Sequence, residues 1–264
     1  MSSTTLAPFS PANPMLIFGC GNMGRAMLDG WLASGIDPAA FVVVDPVATD
    51  LPVAVHRDGR ELGPFSIALL GIKPQILPDA VPALESLLSP NAIIVSILAG
   101  TRIATLQAAL PGRRIIRLMP NLAASLGKSP LGLFPHVEGL DAMLAPLGTP
   151  FWLASEEQMD AVTALAGSGP AFVYRFIEAL AKAGEKLGLD ALQAQGLATQ
   201  MVEGAGQLAV ASSASPAELA RRVTSPGGTT AAGLAVLDEN QALAKLIETT
   251  LAAARDRGTQ LSKG

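Results

Sequence analysis

Short, continuous apolar runs alternate with helical patterns through the first half of the chain, and this alternation limits the possible folds more than any other feature. The first two runs are Met15–Phe18 and Phe41–Val44. An apolar run without polar interruption is typical of a strand that is covered on both faces. Strands that alternate with helices predict an α/β chain with a parallel, doubly wound sheet. Further strands are predicted at 53–55, 66–72, 92–97 and 115–118, and helices at 22–34, 78–88 and 102–110.

The connection between the second and third predicted strands is unusually short. Only residues 45–53 are available, and Pro46 and Pro52 lie among them. A parallel crossover normally takes about a dozen residues or more, and usually contains a helix. We therefore expect the second crossover helix to be missing or reduced.

The pattern changes at about Ser155, where strand signals stop and Ala, Leu, Gln and Glu become frequent. Ser155 followed by Glu156 and Glu157 predicts a helix start with acidic residues in its first turn. Many of the later helices are apolar on more than one face, which favours burial against a second subunit. Helix breaks are predicted near Gly188, at 212–216 and at 225–228. The predicted organisation is a flexible leader at 1–14, an α/β domain at 15–154 and an all-helical domain at 155–264.

Composition excludes several classes of protein. The chain has 264 residues, of which 50% are hydrophobic and 15% are charged, and its net charge is −4. This excludes a disordered chain and argues against a nucleic-acid partner. The single cysteine, Cys20, excludes an intramolecular disulfide framework, and two distant histidines argue against a metal site. No apolar run reaches the roughly 18 residues of a membrane helix, and residues 1–14 lack the features of a signal peptide, so we expect a soluble, cytoplasmic protein.

A glycine-rich turn follows the first predicted strand and opens the first helix. Its sequence is Gly19-Cys20-Gly21-Asn22-Met23-Gly24. In a strand–turn–helix context such glycines allow a tight turn and the close approach of a pyrophosphate to the helix N-terminus. The turn therefore predicts dinucleotide binding, and Cys20 is interpreted as a small filler rather than a reactive thiol.

Asp45 ends the second strand, 21 positions after Gly24. A dinucleotide fingerprint expects an acidic residue about 20 residues on, where it accepts hydrogen bonds from the adenosine ribose. A carboxylate there would repel a 2′-phosphate, which favours NADH over NADPH. The alternative is an ordinary turn at the end of the strand, formed by Asp45 and Pro46.

Three further segments each follow a predicted strand at the carboxyl edge of the sheet, where ligands bind in such folds. Each alone is typical of a plain loop, but together they favour a crevice. A fourth segment, Gly167-Ser168-Gly169-Pro170, interrupts a helical run and fits a kink and a ligand role equally well. The three strand-end segments are Lys73-Pro74-Gln75, Ala99-Gly100 and Met119-Pro120-Asn121.

The most informative segment is residues 223–230, Val-Thr-Ser-Pro-Gly-Gly-Thr-Thr. Four hydroxyl residues flank a glycine pair where a new helix is predicted over 229–237. Free N–H groups at a helix N-terminus bind anions, and hydroxyls can add hydrogen bonds, so the segment suits a small carboxylate. An ordinary N-cap is the alternative, but a cap needs only one hydroxyl.

Taken together, these motifs resemble pyrroline-5-carboxylate reductases, over about residues 15–251. The resemblance implies a Rossmann-type doubly wound parallel sheet, followed by an all-helical dimerisation domain that interlocks with a partner subunit. It implies a homodimer, often built into larger rings. It also implies hydride transfer from NADPH or NADH to the C=N carbon of 1-pyrroline-5-carboxylate, which gives L-proline. The matching motifs, in the family's order, are the glycine turn, Lys73-Pro74-Gln75, Met119-Pro120-Asn121, Gly167-Ser168-Gly169-Pro170-Ala171 and residues 223–230.

The resemblance also assigns residues. Those expected to hold the pyrophosphate are Gly19, Cys20, Gly21, Asn22, Met23 and Gly24. Those expected on the nicotinamide side are Gly71, Ile72, Lys73, Pro74, Ile97, Leu98 and Ala99. Those expected to hold the substrate carboxylate and ring nitrogen are Ser225, Gly228, Thr229 and Thr230. Thr230 is expected nearest the nitrogen, and its catalytic role is to steady that atom. Asp58 stands where the family often has an Asn near the adenosine, Leu122 where it usually has Thr, and Phe172 where it often has Tyr.

Two alternatives remain at this stage. A reductase of another cyclic imine or of a β-hydroxy acid would share the glycine turn. The hydroxy-acid enzymes use a catalytic lysine in the helical domain, for which Lys182 and Lys186 are available on what is predicted to be a solvated helix face. A nucleotide-sensing module without catalysis would not need the hydroxyl-rich segment.

Overall fold

The computed structural model describes residues 9–261. Within them, a single sheet has the strand order β3-β2-β1-β4-β5-β6-β7-β8. The strands are β1 (Met15–Phe18), β2 (Phe41–Val44), β3 (Ala54–His56), β4 (Phe65–Leu70), β5 (Leu88–Ser96), β6 (Arg114–Met119), β7 (Ser129–Phe134) and β8 (Gly148–Trp152). Strands β1 to β6 pair in parallel, which confirms the doubly wound sheet.

Helices cover both faces of this sheet and make up most of the chain that follows it. Those before residue 168 are α1 (Asn22–Ala33), α2 (Leu77–Leu87), α3 (Ile103–Ala109), α4 (Leu140–Leu144) and α5 (Gln158–Val162). Those after it are α6 (Gly169–Lys186), α7 (Ala191–Ala211), α8 (Pro216–Arg222), α9 (Thr229–Asp238) and α10 (Ala242–Leu261).

Strand β1 shows why its sequence is apolar without interruption. Met15 and Ile17 belong to the hydrophobic cluster on one face of the sheet, whereas Leu16 and Phe18 belong to the cluster on the other. Successive strand side chains point to opposite faces, so a strand between two helical layers needs apolar residues at every position.

Helix α1 fixes the first of these layers. Trp31 is fully buried and its indole N–H donates a hydrogen bond of 2.8 Å to the Met143 carbonyl oxygen. Gly30, the residue directly before it, lets the helix approach the backbone of the loop after β6, because an added Cβ would lie 2.1 Å from the Ala124 carbonyl oxygen. The helix ends at Ala33, and the left-handed Gly35 (φ 90°) that follows its C-cap donates its N–H to the Leu32 carbonyl oxygen.

The short connection between β2 and β3 contains no helix, as its length predicted. Val42, Val43 and Val44 nonetheless pair in parallel with Ala54, Val55 and His56. The carboxyl ends of β2 and β3 are therefore adjacent.

The predicted sheet was incomplete at its other side. Strands β7 and β8 were missed, and β7 runs antiparallel to β6, so the sheet is not wholly parallel. The helix predicted to start at Ser155 begins instead at Gln158.

The amino-terminal prediction needs one correction. Residues 1–8 of the expected flexible leader lie outside the described residues. Phe9 does not behave as part of a frayed tail, because its ring is buried with centroids 5.6 Å from Trp31 and 5.0 Å from Phe41.

The described chain divides into two compact units. The first runs to Gly167 and takes in the chain again from Ala254, and the second is Ser168–Ala253. In the first unit, the Thr259 hydroxyl of α10 donates a 3.0 Å hydrogen bond to a carboxylate oxygen of Asp160. The predicted domain boundaries at residues 14 and 154 stay predictions.

The second unit is all-helical, as expected from the loss of strand signals. Its buried core is small and consists of Ala181, Ala194 and Ala198, where α6 packs on α7. The predicted breaks near Gly188 and at 225–228 fall between helices, and the break at 212–216 does so up to Pro216, which begins α8. Pro170 lies in the first turn of α6, where its missing N–H breaks no helical hydrogen bond.

None of the helices within residues 9–261 is both long enough and apolar enough to cross a membrane.

Candidate functional site

Three backbone hydrogen bonds join the ends of four strands where the glycine turn begins. The Gly19 amide donates to the Val44 carbonyl oxygen of β2, and the Gly71 amide donates to the Phe18 carbonyl oxygen of β1, both at 2.9 Å. The Asp45 amide donates to the His56 carbonyl oxygen of β3 at 3.0 Å. The loops after β1, β2, β3 and β4 therefore converge at the carboxyl edge of the sheet, which is where ligands bind in such folds.

The three glycines of the turn differ in the space that a side chain would find at each position. Gly19 has a φ of +88°, and a Cβ there would lie 2.7 Å from the Ile72 side chain. A Cβ on Gly24 would lie 3.1 Å from the Gly19 carbonyl oxygen, so this residue allows helix and turn to pack closely. A Cβ on Gly21 would meet no protein atom within 4 Å, so this position is open. A tight turn, an open approach and a close helix contact are what a pyrophosphate-binding turn requires.

Helix α1 presents its N-terminus at this turn. Its N-cap is Gly21, no side chain caps it by a hydrogen bond, and no acidic residue lies in its first turn. The N–H groups of a helix start and the helix dipole favour an anion. The predicted residues Asn22, Met23 and Gly24 form this start, and the site fits the pyrophosphate of a dinucleotide.

A cavity of about 490 Å³ opens at the same edge. Its lining includes seven of the fifteen predicted cofactor residues and also Arg57 and Asp79, which the sequence analysis missed. The predicted residues that line it are Gly19, Gly21, Asp45, Asp58, Gly71, Ile72 and Lys73. Those outside its lining are Cys20, Asn22, Met23, Gly24, Pro74, Ile97, Leu98 and Ala99.

The position of Leu98 limits what it can do. Its side chain is buried in the core against one face of the sheet, whereas Ala99 is exposed. Leu98 can therefore reach a ligand only through its backbone.

Asp45 is held by the protein's own backbone. One carboxylate oxygen accepts a 2.7 Å hydrogen bond from the Cys20 amide, and the other accepts bonds of 2.8 and 2.9 Å from the Val47 and Ala48 amides. The residue is only 7% exposed. This arrangement matches the strand-end turn, the alternative to a ribose contact, and it makes Asp45 a residue that positions the glycine turn.

Cys20 is not a reactive thiol. Burial, and then the nearby Asp45 carboxylate, raise the pKa of the Cys20 thiol to about 11. The nucleophilic thiolate is therefore scarce at neutral pH, which agrees with the role of small filler.

Some charged groups at the cavity or close to it in sequence have partners. The Arg60 guanidinium lies 3.0 Å from an Asp58 carboxylate oxygen, and the Arg25 guanidinium lies 2.8 Å from Asp29. Arg57 makes no hydrogen bond or ion pair within residues 9–261. Its place at the end of β3 is a signal that the sequence offered and that we missed.

The segment Met119-Pro120-Asn121 has a structural role. The Asn121 backbone N–H donates to the Ser129 hydroxyl oxygen at 2.9 Å, and its side-chain NH2 group donates to the Ala166 carbonyl oxygen at 3.0 Å. The side-chain oxygen accepts from the Ala123 amide at 2.9 Å. Asn121 therefore holds the loop after β6 through its backbone N–H and both ends of its side-chain amide.

The hydroxyl-rich segment forms a turn and the start of α9. The Gly228 amide donates to the Ser225 carbonyl oxygen at 3.0 Å, Gly227 has a φ of +68°, and Gly228 is the N-cap without a side-chain cap. The Thr224 hydroxyl is taken by the Ala220 carbonyl oxygen at 2.7 Å. The hydroxyls of Ser225, Thr229 and Thr230 are exposed and have no hydrogen bond among the described residues.

The lysine that a hydroxy-acid enzyme would need lies on an exposed helix surface. Lys182 is 2.5 Å from a carboxylate oxygen of Glu178, one turn earlier on α6, and its side chain is 65% exposed. The hydrogen bond from Lys182 is the main cause that lowers the pKa of the Glu178 carboxyl. A solvated ion pair of this kind is typical of a helix surface.

Known proteins resemble the chain over nearly its whole length. A family model described as pyrroline-5-carboxylate reductase dimerisation matches residues 156–261. The pyrroline-5-carboxylate reductase of Pseudomonas aeruginosa is 36% identical, over 96% of this chain and 98% of its own. Pyrroline-5-carboxylate reductase 3 of Danio rerio is also 36% identical, over 93% and 91%. A solved pyrroline-5-carboxylate reductase from Coxiella burnetii is 30% identical, with a TM-score of 0.85 over 96% and 99% of the two chains.

Proposed function

The chain belongs to the pyrroline-5-carboxylate reductase family, and we propose that it reduces 1-pyrroline-5-carboxylate to L-proline with NAD(P)H. The observation that carries this function is the glycine turn at the carboxyl edge of the sheet, with Gly21 open and Gly19 in a left-handed conformation. The cofactor is bound there, with its pyrophosphate on the N-terminus of α1.

The substrate carboxylate is bound by the segment 225–230. Its support is chemical: the N-terminus of α9 has no side-chain cap, and the hydroxyls of Ser225, Thr229 and Thr230 are available. An anion at this position gains from backbone N–H groups and hydroxyls together.

The reaction needs little acid–base machinery. When bound, NAD(P)H supplies a hydride to the C=N carbon, and a protonated imine is already electrophilic. The residues of the chain bind and orient the substrate, which supplies most of the catalysis. Thr230 steadies the ring nitrogen, and no side chain is strictly required as a proton donor.

The first experiment follows NADH and NADPH oxidation with 1-pyrroline-5-carboxylate. Turnover supports the function, whereas cofactor binding without turnover would overturn it. Thr230→Ala should lose less than about a thousandfold in kcat/KM, because it removes one orienting hydrogen bond rather than an acid or base. Thr230→Ser keeps the hydroxyl and should retain most of the activity. A larger loss in Thr230→Ala would refute the modest role of this residue.

The protein is a homo-oligomer, and we propose that its unit is a dimer formed through the helical region. Support comes from large apolar side chains that the second unit leaves exposed, among them Tyr174, Phe176, Leu197 and Leu208. An exposed apolar patch of this kind is typical of an interface. The mass from light scattering tests this, and a monomer at micromolar concentration would contradict it. A cytoplasmic location is also proposed, and cell fractionation tests it.

A further inference from the structure

Arg57 occupies a distinctive position in the cofactor cavity. It directly follows His56, the last residue of β3, whose carbonyl oxygen accepts the hydrogen bond from the Asp45 amide. Arg57 is thus the neighbour of Asp45 across the carboxyl ends of β2 and β3. The connection between these strands, residues 45–53, contains no helix.

The end of β2 is the point at which a dinucleotide-binding fold distinguishes its cofactors. An acidic residue there accepts a hydrogen bond from the ribose 2′-hydroxyl of NADH, whereas a nearby arginine accommodates the 2′-phosphate of NADPH. Both residue types are present in this chain, so their hydrogen bonds decide which is available.

The carboxylates at this point are already engaged. Both oxygens of Asp45 accept hydrogen bonds from backbone amides, and Asp58 is paired with Arg60. The third acidic residue of the cavity, Asp79, lies in the first turn of α2, which follows β4 rather than β2.

The cations near the cavity differ in whether they have a partner. Arg25 pairs with Asp29, whereas Arg57 is exposed, lines the cavity and has no partner among residues 9–261. Lys73 also lines the cavity, but it follows β4, which is three strands from β3 in the sheet. Of the two cations that line the cavity, Arg57 lies beside the end of β2 and Lys73 does not.

We propose that Arg57 binds the 2′-phosphate of NADPH and is the residue through which this chain recognises that cofactor. The inference rests on the proposed function only in that the cavity holds the cofactor. A guanidinium suits the task, because its fork of N–H donors matches phosphate oxygens. The prediction that Asp45 favours NADH stays open to the same test, although both oxygens of Asp45 already accept hydrogen bonds from backbone amides.

The test measures binding rather than turnover. Calorimetry gives the Kd of ADP-ribose and of 2′-phospho-ADP-ribose for the full chain and for Arg57→Gln. The two probes differ only in the 2′-phosphate. Arg114→Gln is the control, because it makes the same change of charge at an exposed residue that begins β6, at the amino edge of the sheet.

Arg57→Gln should weaken 2′-phospho-ADP-ribose binding by at least about tenfold and leave ADP-ribose binding unchanged. Arg114→Gln should change neither Kd, and Arg57→Lys should fall between the wild type and Arg57→Gln. An equal loss for both probes would place Arg57 at the pyrophosphate and overturn the proposal, as would no loss for either.

The outcome is separable from the reaction. A selective loss in a protein that does not reduce 1-pyrroline-5-carboxylate would refute the proposed function and keep Arg57 as the phosphate ligand. Turnover in a protein whose probe selectivity is unchanged by Arg57→Gln would support the proposed function and refute the role of Arg57. A wild type that binds neither probe would overturn both the cavity assignment and the role of Arg57.

Discussion

Replacing Asp45 by Asn should destabilise the protein more than it weakens cofactor binding. A carboxylate accepts at both oxygens, whereas an amide has one acceptor oxygen and an NH2 group. If the amide oxygen stays with the Val47 and Ala48 amides, the NH2 group faces the Cys20 amide, which is a donor buried in the structure. An unsatisfied buried donor costs about 1–3 kcal/mol, so we expect the free energy of unfolding to fall by about 2 kcal/mol.

Urea unfolding followed by tryptophan fluorescence suits this measurement. The chain has two tryptophans, and both Trp31 and Trp152 lie in the first unit with Asp45. Protein concentration is held fixed, because an oligomer's stability depends on it. The control is Asp58→Asn, the same substitution in the same cavity, where the carboxylate is paired with the exposed Arg60. Its effect should stay below about 1 kcal/mol.

The competing hypothesis makes the opposite prediction. If Asp45 chiefly held the ribose, Asp45→Asn would leave unfolding unchanged and raise the Kd of ADP-ribose about tenfold. Observing that combination would refute the positioning role.

Glu156→Ala should lower the free energy of unfolding by about 3 kcal/mol, because it leaves a buried guanidinium without its partner. That guanidinium belongs to Arg117, which lies 2.9 Å from the Glu156 carboxylate and is only 4% exposed. Glu157→Ala next to it should leave the urea midpoint unchanged, and equal midpoints for the two variants would contradict the reasoning. Burial raises the pKa of the Cys20 thiol to about 11, so iodoacetamide at pH 8 should label Cys20 only when the protein is unfolded in urea. Mass spectrometry measures the labelling, and rapid labelling of the native protein would contradict this prediction. Gly21→Ala should keep the wild-type stability, since the new Cβ meets no protein atom within 4 Å, but should weaken ADP-ribose binding by at least about tenfold, as judged by calorimetry. An unchanged Kd would show that the pyrophosphate does not approach this glycine.

The sequence predicted the parallel part of the sheet because each strand there is a continuous apolar run. Strands β7 and β8 escaped prediction for a local reason. Pro130 and Gly132 lie in β7, and Pro150 lies in β8, and both residue types normally count against a strand. Tertiary pairing with β6 outweighs that preference in β7.

The candidate site was predictable where local sequence determines backbone shape. The glycine turn and the helix start at Thr229 follow from residue types and spacing alone. The roles of Asp45 and Arg57 do not, because they depend on which groups the fold brings near: the backbone amides occupy the Asp45 carboxylate, and the short crossover brings Arg57 beside it.

Residues 254–261 have a consequence for how the protein is made. This end of α10 belongs to the first unit, and its Thr259 hydroxyl bonds to Asp160. A ribosome synthesises the amino-terminal part first, and domains generally fold in that order. The first unit therefore lacks this contact while residues 168–253 are being added. Its folding on the ribosome finishes only when the end of α10 leaves the exit tunnel, after the whole second unit has been synthesised.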